Sequence, residues 1–180
     1  MESRPWLLRG VLLGVALAIA AVVYVSMDDD EAAPTVEAVP ARIVTPAELA
    51  GVAAAAEHPV YWAGEIPGTR LEVTQESDGD VLLRYLTGGA EAGSPRLDFL
   101  TVGTYPLADP SAALDSAAAA TGAFVRTAPD GRRLVSNRAN PSSVYFVSPD
   151  NSVQVEVYDP SPARDVGLAR SGRVTPVSAG

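Results

Sequence analysis

Residues 71–86 read LEVTQESDGDVLLRYL, two runs of alternating apolar and polar residues separated by a Ser-Asp-Gly turn. An alternation of period two is typical of β-strands with one buried face. A three-residue loop built on a type I turn needs a left-handed residue in third place, and Gly79 supplies it. This loop sets Val73 opposite Leu83, whereas a two-residue loop would mix the apolar and polar faces. The stretch therefore predicts an antiparallel hairpin with a three-residue loop.

The other face of this hairpin pairs Glu72 with Arg84, and we expect this ion pair to be exposed. Two later turns, residues 129–131 and 149–151, have the same chemistry, because each places Gly or Asn third. They predict two further hairpins, with these opposed pairs: Val125 with Val135, Val147 with Val153, and Tyr145 with Val155.

Three helix starts share one pattern, a small polar residue followed by proline, which is favoured at the first helical position. They are Thr45-Pro46, Asp109-Pro110 and Ser161-Pro162. The first start also contains a capping box, because Glu48 lies three residues after the cap. We expect this first helix to end at His58-Pro59, since proline cannot continue it.

Residues 97–105 are apolar on both faces, through Phe99 and Val102 among others, as in a central strand covered on both sides. With the hairpins and helices, they predict an α+β domain of mainly antiparallel sheet with three short proline-capped helices. Residues 45–105 and 109–158 each read as a helix followed by strands. The two halves are either an αβ duplication or unrelated, and their hairpin turns are not in phase.

The N-terminus carries an apolar segment long enough to cross a bilayer. Residues 10–25 are apolar throughout, and residues 6–8 extend the segment to about twenty positions, broken only by Arg9. Arginines precede the segment and acidic residues follow it, which predicts a cytoplasmic N-terminus with the rest of the chain outside. A cleaved signal peptide is the alternative, but its small-residue site falls inside the apolar run. We expect residues 1–27 to form a cytoplasmic stub and an uncleaved transmembrane helix, with residues 6–27 in the membrane.

The anchor is followed by a segment with the composition of a stalk. Residues 28–44 are acidic at first and then rich in alanine, proline and valine, which predicts an extended conformation. The domain is expected to span residues 45–177, and residues 178–180 form a short tail. The sequence thus predicts one stalked domain outside the membrane.

Composition excludes several classes of chemistry. The 180-residue chain has a formal net charge of −9, one histidine and no cysteine, and its 13 basic residues are all arginine. These counts exclude disulfides, thiolate metal sites, cysteine nucleophiles and lysine-based phosphate loops. The acidic balance argues against a nucleic-acid partner. We expect no cofactor and no metal ion.

Few residues are candidates for catalysis. His58 follows a helix and precedes a proline, where a histidine is commonly a C-terminal cap that interacts with the helix dipole. Glu76, Asp78 and Asp80 form an acidic turn that is too short for a calcium-binding EF-hand loop. A carboxylate pair for glycoside hydrolysis stays open, because any two acidic residues can meet in a fold. The sequence therefore assigns no catalytic residue.

Two stretches are candidates for ligand binding. Residues 60–64, VYWAG, predict either a core strand with Trp62 buried or an aromatic platform for the sugar rings of an envelope polymer. Residues 87–93 are rich in glycine and read either as a flexible connection or as a binding loop. The candidate ligand-binding residues are Tyr61, Trp62 and Glu91.

Four short motifs, VYWAG at 60–64, PG at 67–68, LEVT at 71–74 and RYL at 84–86, carry a resemblance to a known group of proteins. The chain resembles uncharacterised membrane-anchored extracytoplasmic proteins of high-GC bacteria over about residues 58–105. This resemblance implies a location outside the membrane, and it carries over no functional residue.

Together, these patterns predict a single-pass membrane-anchored extracytoplasmic domain. We expect a non-enzymatic binding or scaffolding role in the cell envelope, with an envelope polymer or a membrane protein as partner. The alternatives are an envelope hydrolase that uses a carboxylate pair and an accessory subunit of a membrane complex.

Overall fold

The fold is built on one sheet of eight antiparallel strands. The computed structural model describes residues 38–177, and the elements of this part of the chain are as follows. The strands are β1 (Val39–Val44), β2 (Tyr61–Trp62), β3 (Arg70–Gln75), β4 (Val81–Leu86), β5 (Leu100–Tyr105), β6 (Ala123–Thr127), β7 (Arg133–Asn137), β8 (Asn140–Val147), β9 (Gln154–Tyr158) and β10 (Thr175–Pro176). The helices are α1 (Pro46–Ala55), α2 (Pro110–Ala119) and α3 (Pro162–Arg170).

The large sheet has the strand order β1-β3-β4-β5-β9-β8-β7-β6, while β2 and β10 form a small sheet of their own. This arrangement confirms the α+β class, the antiparallel sheet and the three short helices. The predicted central strand is also confirmed, because β5 lies in the middle of the sheet and is buried from Leu100 to Thr104. It begins three residues later than residues 97–105 suggested.

The first two hairpins have the predicted register. Val73 lies opposite Leu83, and Val125 lies opposite Val135. The third residue of each loop has a positive φ, 93° at Gly79 and 86° at Gly131. Turn chemistry and the polarity of the strands were therefore sufficient to fix both pairings.

The predicted register of the third hairpin is wrong by one residue. Val147 lies opposite Gln154, and Tyr145 lies opposite Glu156. Asn151 has the expected positive φ of 57°, but Ser152 adds a fourth residue to the loop. The buried Ser148 hydroxyl holds this extra residue, because it accepts the Ser152 N–H at 3.1 Å.

The three helices begin where the sequence places them. Thr45 accepts the Glu48 N–H, and the Glu48 carboxylate accepts the Thr45 N–H at 2.7 Å, which completes the capping box. Asp109 caps α2 by accepting the Ala112 N–H at 2.9 Å. The first helix ends at Ala55, however, three residues before the predicted end at His58.

The main hydrophobic core lies on one face of the sheet, which we call the core face. Strand residues such as Val73, Leu83, Val102 and Phe146 are almost fully buried there. Leu49 and Val52 of α1, together with Ala169 of α3, complete the same cluster. Each buried branched side chain contributes about 1.5–3 kcal/mol, so this face supplies most of the stability of the fold.

The opposite face, which we call the polar face, carries Glu72, Arg84, Thr101, Tyr145 and Glu156. Helix α2 covers this face over β6 to β9, and the helix residue Leu114 is buried against the sheet. Residues 87–99 cover it over β3 and β4. The middle of the polar face lies between these two covers.

The prediction of an exposed Glu72–Arg84 pair is wrong, because Glu72 is fully buried. Arg84 Nη1 lies 2.8 Å from Glu72 Oε1, and the Gly93 N–H donates to Glu72 Oε2. Arg84 also donates to the Ser94 carbonyl oxygen at 2.9 Å. The segment 87–93, predicted as a flexible connection or binding loop, is thus fixed to the sheet.

The predicted stalk is too long at its C-terminal end. Residues Val39–Val44 form β1, an edge strand that pairs with β3, so the domain begins before residue 45. The predicted anchor 1–27, the first part of the stalk and the tail 178–180 lie outside the described residues. Within residues 38–177, no helix has the length and apolar character needed to cross a membrane.

Candidate functional site

His58 connects two loops and does not cap a helix. Its Nε2 lies 2.9 Å from the Gly79 carbonyl oxygen, and its Nδ1 lies 3.0 Å from the Pro59 carbonyl oxygen. The cap of α1 is Ala56, whose N–H donates to the Val52 carbonyl oxygen. The predicted capping role is therefore wrong, and the ring instead holds the first hairpin turn against the segment that follows α1.

The acidic turn contains a carboxyl group with an unusual pKa. Asp80 is partly buried beside Tyr105, and burial, followed by repulsion from Asp78 and Glu76, raises the pKa of Asp80 to about 7. Among residues 38–177, no group of three or more His, Asp or Glu side chains is arranged to hold a metal ion. A carboxyl with this pKa is a proton donor or acceptor near neutral pH, which makes Asp80 a candidate for chemistry.

The three predicted ligand-binding residues do not form one site. Tyr61 is buried, and its ring meets Phe146 edge-on with the centroids 5.7 Å apart. Trp62 is half-buried and packs against the same core. Glu91 is exposed in the segment that covers the polar face, so it lies on the other side of the sheet. Tyr61 and Trp62 consequently form a short strand that packs on the core, although Trp62 is less buried than Tyr61.

A carboxylate held by two tyrosines occupies the middle of the polar face. Tyr105 donates to Glu156 Oε2 and Tyr145 donates to Glu156 Oε1, both at 2.7 Å. Burial, and then the negative charge of Glu156, raise the pKa of both Tyr105 and Tyr145, so both phenols stay protonated. Glu156 is buried and both of its oxygens are occupied, which removes it from contact with a substrate.

A cleft of about 330 Å³ lies between α2 and the third hairpin. Its two charged residues, Asp115 and Arg133, bind each other. On another side of the cleft, Ser111 Oγ donates a hydrogen bond to Asn151 Oδ1. The polar groups of the cleft are thus largely used within the protein.

The most accessible feature of the sheet is the edge strand β6. Four of its five residues are exposed, including Phe124 at 40% and Val125 at 51%. The opposite edge strand, β1, contains Pro40 and an irregular register, both of which obstruct pairing with another strand. Strand β6 has neither a proline nor an irregular register, and its one charged residue is Arg126, so an additional strand that offers opposite charge can pair with its outer edge.

Two arginines surround the exposed ring on this edge. The guanidinium carbons of Arg126 and Arg138 lie 5.5 Å and 5.6 Å from the centroid of the Phe124 ring. Neither arginine lies within ion-pair distance of a carboxylate among residues 38–177. Five other arginines in this part of the chain do form ion pairs. Arg126 also donates to the Ser136 hydroxyl at 3.3 Å, and its charge acts on the carboxyl of Asp165. Both guanidinium groups nevertheless lie beside the exposed Phe124 ring and give this edge positive charge.

Sequence reasoning missed both of these arrangements. The tyrosine–carboxylate group depends on the register of the third hairpin, because only that register puts Tyr145 opposite Glu156. The open edge depends on the order of the strands in the sheet, which local patterns do not encode. The one available signal was the absence of proline and acidic residues from AFVRT, residues 123–127.

The chain has no match among protein-family models, curated proteins or solved structures.

Proposed function

We propose that the chain is a single-pass membrane protein whose extracytoplasmic domain has a non-enzymatic binding role in the cell envelope. The apolar segment 6–27, the arginines before it and the acidic residues after it support the anchor and its orientation. These residues precede β1, the first element of the domain. The domain would then stand directly outside the bilayer on a short linker.

The observation that carries the binding role is the open edge strand β6. Its exposed apolar and aromatic side chains, Phe124 and Val125, lie beside unpaired backbone groups. Edge strands of this kind are templates for pairing with another chain, and proteins that do not use them commonly protect them. The contrast with the protected edge β1 in the same sheet supports a function for β6.

The alternative of a carboxylate hydrolase is less well supported. A glycoside hydrolase needs two carboxyl groups that both reach the substrate. Of the fully buried carboxylates, Glu72 is held by Arg84, Glu156 by two tyrosines and Asp159 by Arg164. The fourth, Asp165, has no hydrogen-bond partner for its Oδ2 among the described residues, but it is buried in α3 and therefore closed to a substrate. The carboxylates that act on Asp80 are Asp78 and Glu76, which lie two and four residues away in the same exposed hairpin turn.

The αβ duplication remains a proposal, and the strand order supports it. The last strands of the two halves, β5 and β9, lie side by side in antiparallel orientation, and β1 and β6 lie at the outer edges. A duplicated unit related by an approximate two-fold axis would have this strand order. The helices do not follow the same symmetry, because α1 packs on the core face and follows β1, whereas α2 lies on the polar face and precedes β6.

Cysteine labelling tests the proposed location, because the chain has no cysteine of its own. Single-cysteine variants would be made at Ser77, in the exposed first hairpin turn, and at Ser3, before the apolar segment. Right-side-out vesicles would be treated with a membrane-impermeant maleimide before and after lysis. We expect Ser77→Cys to react before lysis and Ser3→Cys to react only afterwards. The proposal is wrong if Ser77→Cys is protected in intact vesicles, or if the mature chain lacks residues 1–27.

A further inference from the structure

The free hydrogen-bonding groups of β6 can be assigned from the turn that follows it. The Ala128 N–H donates to the Arg132 carbonyl oxygen at 2.8 Å, so Ala128 faces β7. Successive residues of a strand direct their backbone groups to opposite sides. Phe124 and Arg126 therefore face β7 with their backbone, whereas Val125 and Thr127 present N–H and C=O groups outward.

An added strand would meet two different side-chain rows. Residues opposite Phe124 and Arg126 would lie on the core-face side of the sheet, and the residue opposite Val125 would lie on the polar-face side. The first row is positive and aromatic, since it also includes the guanidinium group of Arg138 over the Phe124 ring. The second row is apolar at Val125.

This pattern selects the chemistry of the partner. The acidic residues on one side of an extended segment would pair with Arg126 and Arg138. An apolar residue between two such acidic residues would lie on the opposite side and cover Val125. A second copy of β6 would instead bring four arginines together, which like-charge repulsion disfavours. An anionic polymer could contact the arginines, but it would leave the outward N–H groups of Val125 and Thr127 unbonded.

We propose that β6 binds an extended acidic segment of a partner protein as a ninth strand, through the Val125 and Thr127 backbone and the arginines beside Phe124. This inference rests on the proposed binding role and specifies its partner. The affinity of one short strand is expected to be low, and a shared membrane would raise the effective concentration of the two chains.

A tethered probe tests this proposal in the full-length chain in detergent or nanodiscs. The peptide Thr-Glu-Val-Glu-Val-Glu-Thr would be fused after Gly180 through a Gly/Ser linker of about 15 residues, whose reach is about 50 Å. A matched fusion carries lysine in place of each glutamate. The measurement is hydrogen exchange at the Val125 and Thr127 amides, with the inward-facing Arg126 amide as internal reference.

We expect the acidic probe to slow exchange at Val125 and Thr127 at least tenfold and the lysine probe to leave it unchanged. In the variant Arg126→Glu/Arg138→Glu the preference should reverse, so that only the lysine probe protects. Both arginines are exposed, and the two wild-type fusions give the result even if this variant folds poorly.

Equal protection by both probes, or protection by neither, would overturn the acidic-strand proposal. Binding of the acidic probe without slowed exchange at Val125 and Thr127 would also overturn it, because it would show contact with the arginines alone. The Ser77→Cys labelling result is independent of these outcomes, so failure of the location and failure of the strand pairing are distinguished.

Discussion

Glu72 and Arg84 form an ion pair beneath residues 87–99, in which the Glu72 side chain is fully buried and the Arg84 side chain is largely buried. Removing one charge from such a pair leaves the other buried and uncompensated. We expect Glu72→Gln to lower the free energy of unfolding by about 2–4 kcal/mol, measured by urea denaturation. The exposed pair Arg96–Asp98 is the matched control, and Asp98→Asn should cost less than about 1 kcal/mol. Equal costs for the two substitutions would show that the burial of Glu72 is unimportant.

Gly103 makes room for the ring of Tyr105 on the polar face. A Cβ at this position would overlap the Tyr105 hydroxyl and ring, which would move the hydroxyl away from Glu156. Gly103→Ala is therefore expected to destabilise the domain by about 1–3 kcal/mol in urea denaturation. Gly51 in α1 has no atom within 4 Å of its Cβ position, so Gly51→Ala should be neutral or stabilising. A stabilising Gly103→Ala would contradict the described packing.

At the scale of elements, the third hairpin departs from the first two because of one side chain. Ser148 is buried, and its Oγ accepts the N–H groups of both Ser152 and Val153 at 3.1 Å. We expect Ser148→Ala to cost about 1–3 kcal/mol of unfolding free energy, since the buried Val153 N–H loses its acceptor. Ser77 is exposed in the turn of the first hairpin, and Ser77→Ala should change stability by less than about 0.5 kcal/mol. Similar effects of the two substitutions would argue against the role of Ser148.

The hairpins also show what an isolated sequence encodes. The first two were predictable because turn residues and strand polarity agree on one register. The third was not, because both registers place apolar residues opposite one another at some positions, and the choice depends on a hydroxyl that fills the loop. The caps of α1 and α2 were likewise local, whereas the early end of α1 was not predicted: Glu57 has a positive φ of 58°, and the next residue, His58, contacts the distant Gly79.

For the whole molecule, two buried acids predict how stability depends on pH. Burial is the main cause that raises the pKa of Asp80 to about 7 and that of Asp165 to about 6. In the unfolded chain the pKa of each aspartate is near 3.8. Between this pH and its raised pKa, each aspartate is protonated in the folded state and ionised in the unfolded state. Their contribution to stability is therefore complete below about pH 4 and is lost as the pH rises to 7.

We expect the free energy of unfolding to fall as the pH rises from 4.5 to 8. Asp80→Asn should raise the free energy of unfolding by about 1–2 kcal/mol at pH 8 and change it little at pH 4.5. Asp165→Asn should act in the same direction. Urea denaturation at the two pH values gives the comparison, with the exposed Glu91→Gln as control. A gain from Asp80→Asn that is the same at both pH values would contradict the raised pKa.

Strand order is the property of the whole molecule that the sequence did not reveal. Residues 39–44 read as linker because of their proline and alanine, yet they pair with β3 at one edge. Residues 123–127 read as one strand of a hairpin, and the only local sign that their other side is free is their lack of proline and acidic residues. Both facts arise from pairings between residues far apart in the chain, such as β5 with β9.

We propose the open edge of β6 as a binding surface of a domain that a membrane anchor holds outside the bilayer. The most direct test is hydrogen exchange at the Val125 and Thr127 amides of the full-length chain, measured in the native membranes of the source cells and again after purification. We expect at least tenfold slower exchange in native membranes, loss of that protection on purification or with Arg126→Glu/Arg138→Glu, and an unchanged rate at the Arg126 amide of the wild-type chain. Equally fast exchange at Val125 and Thr127 in both preparations would contradict it.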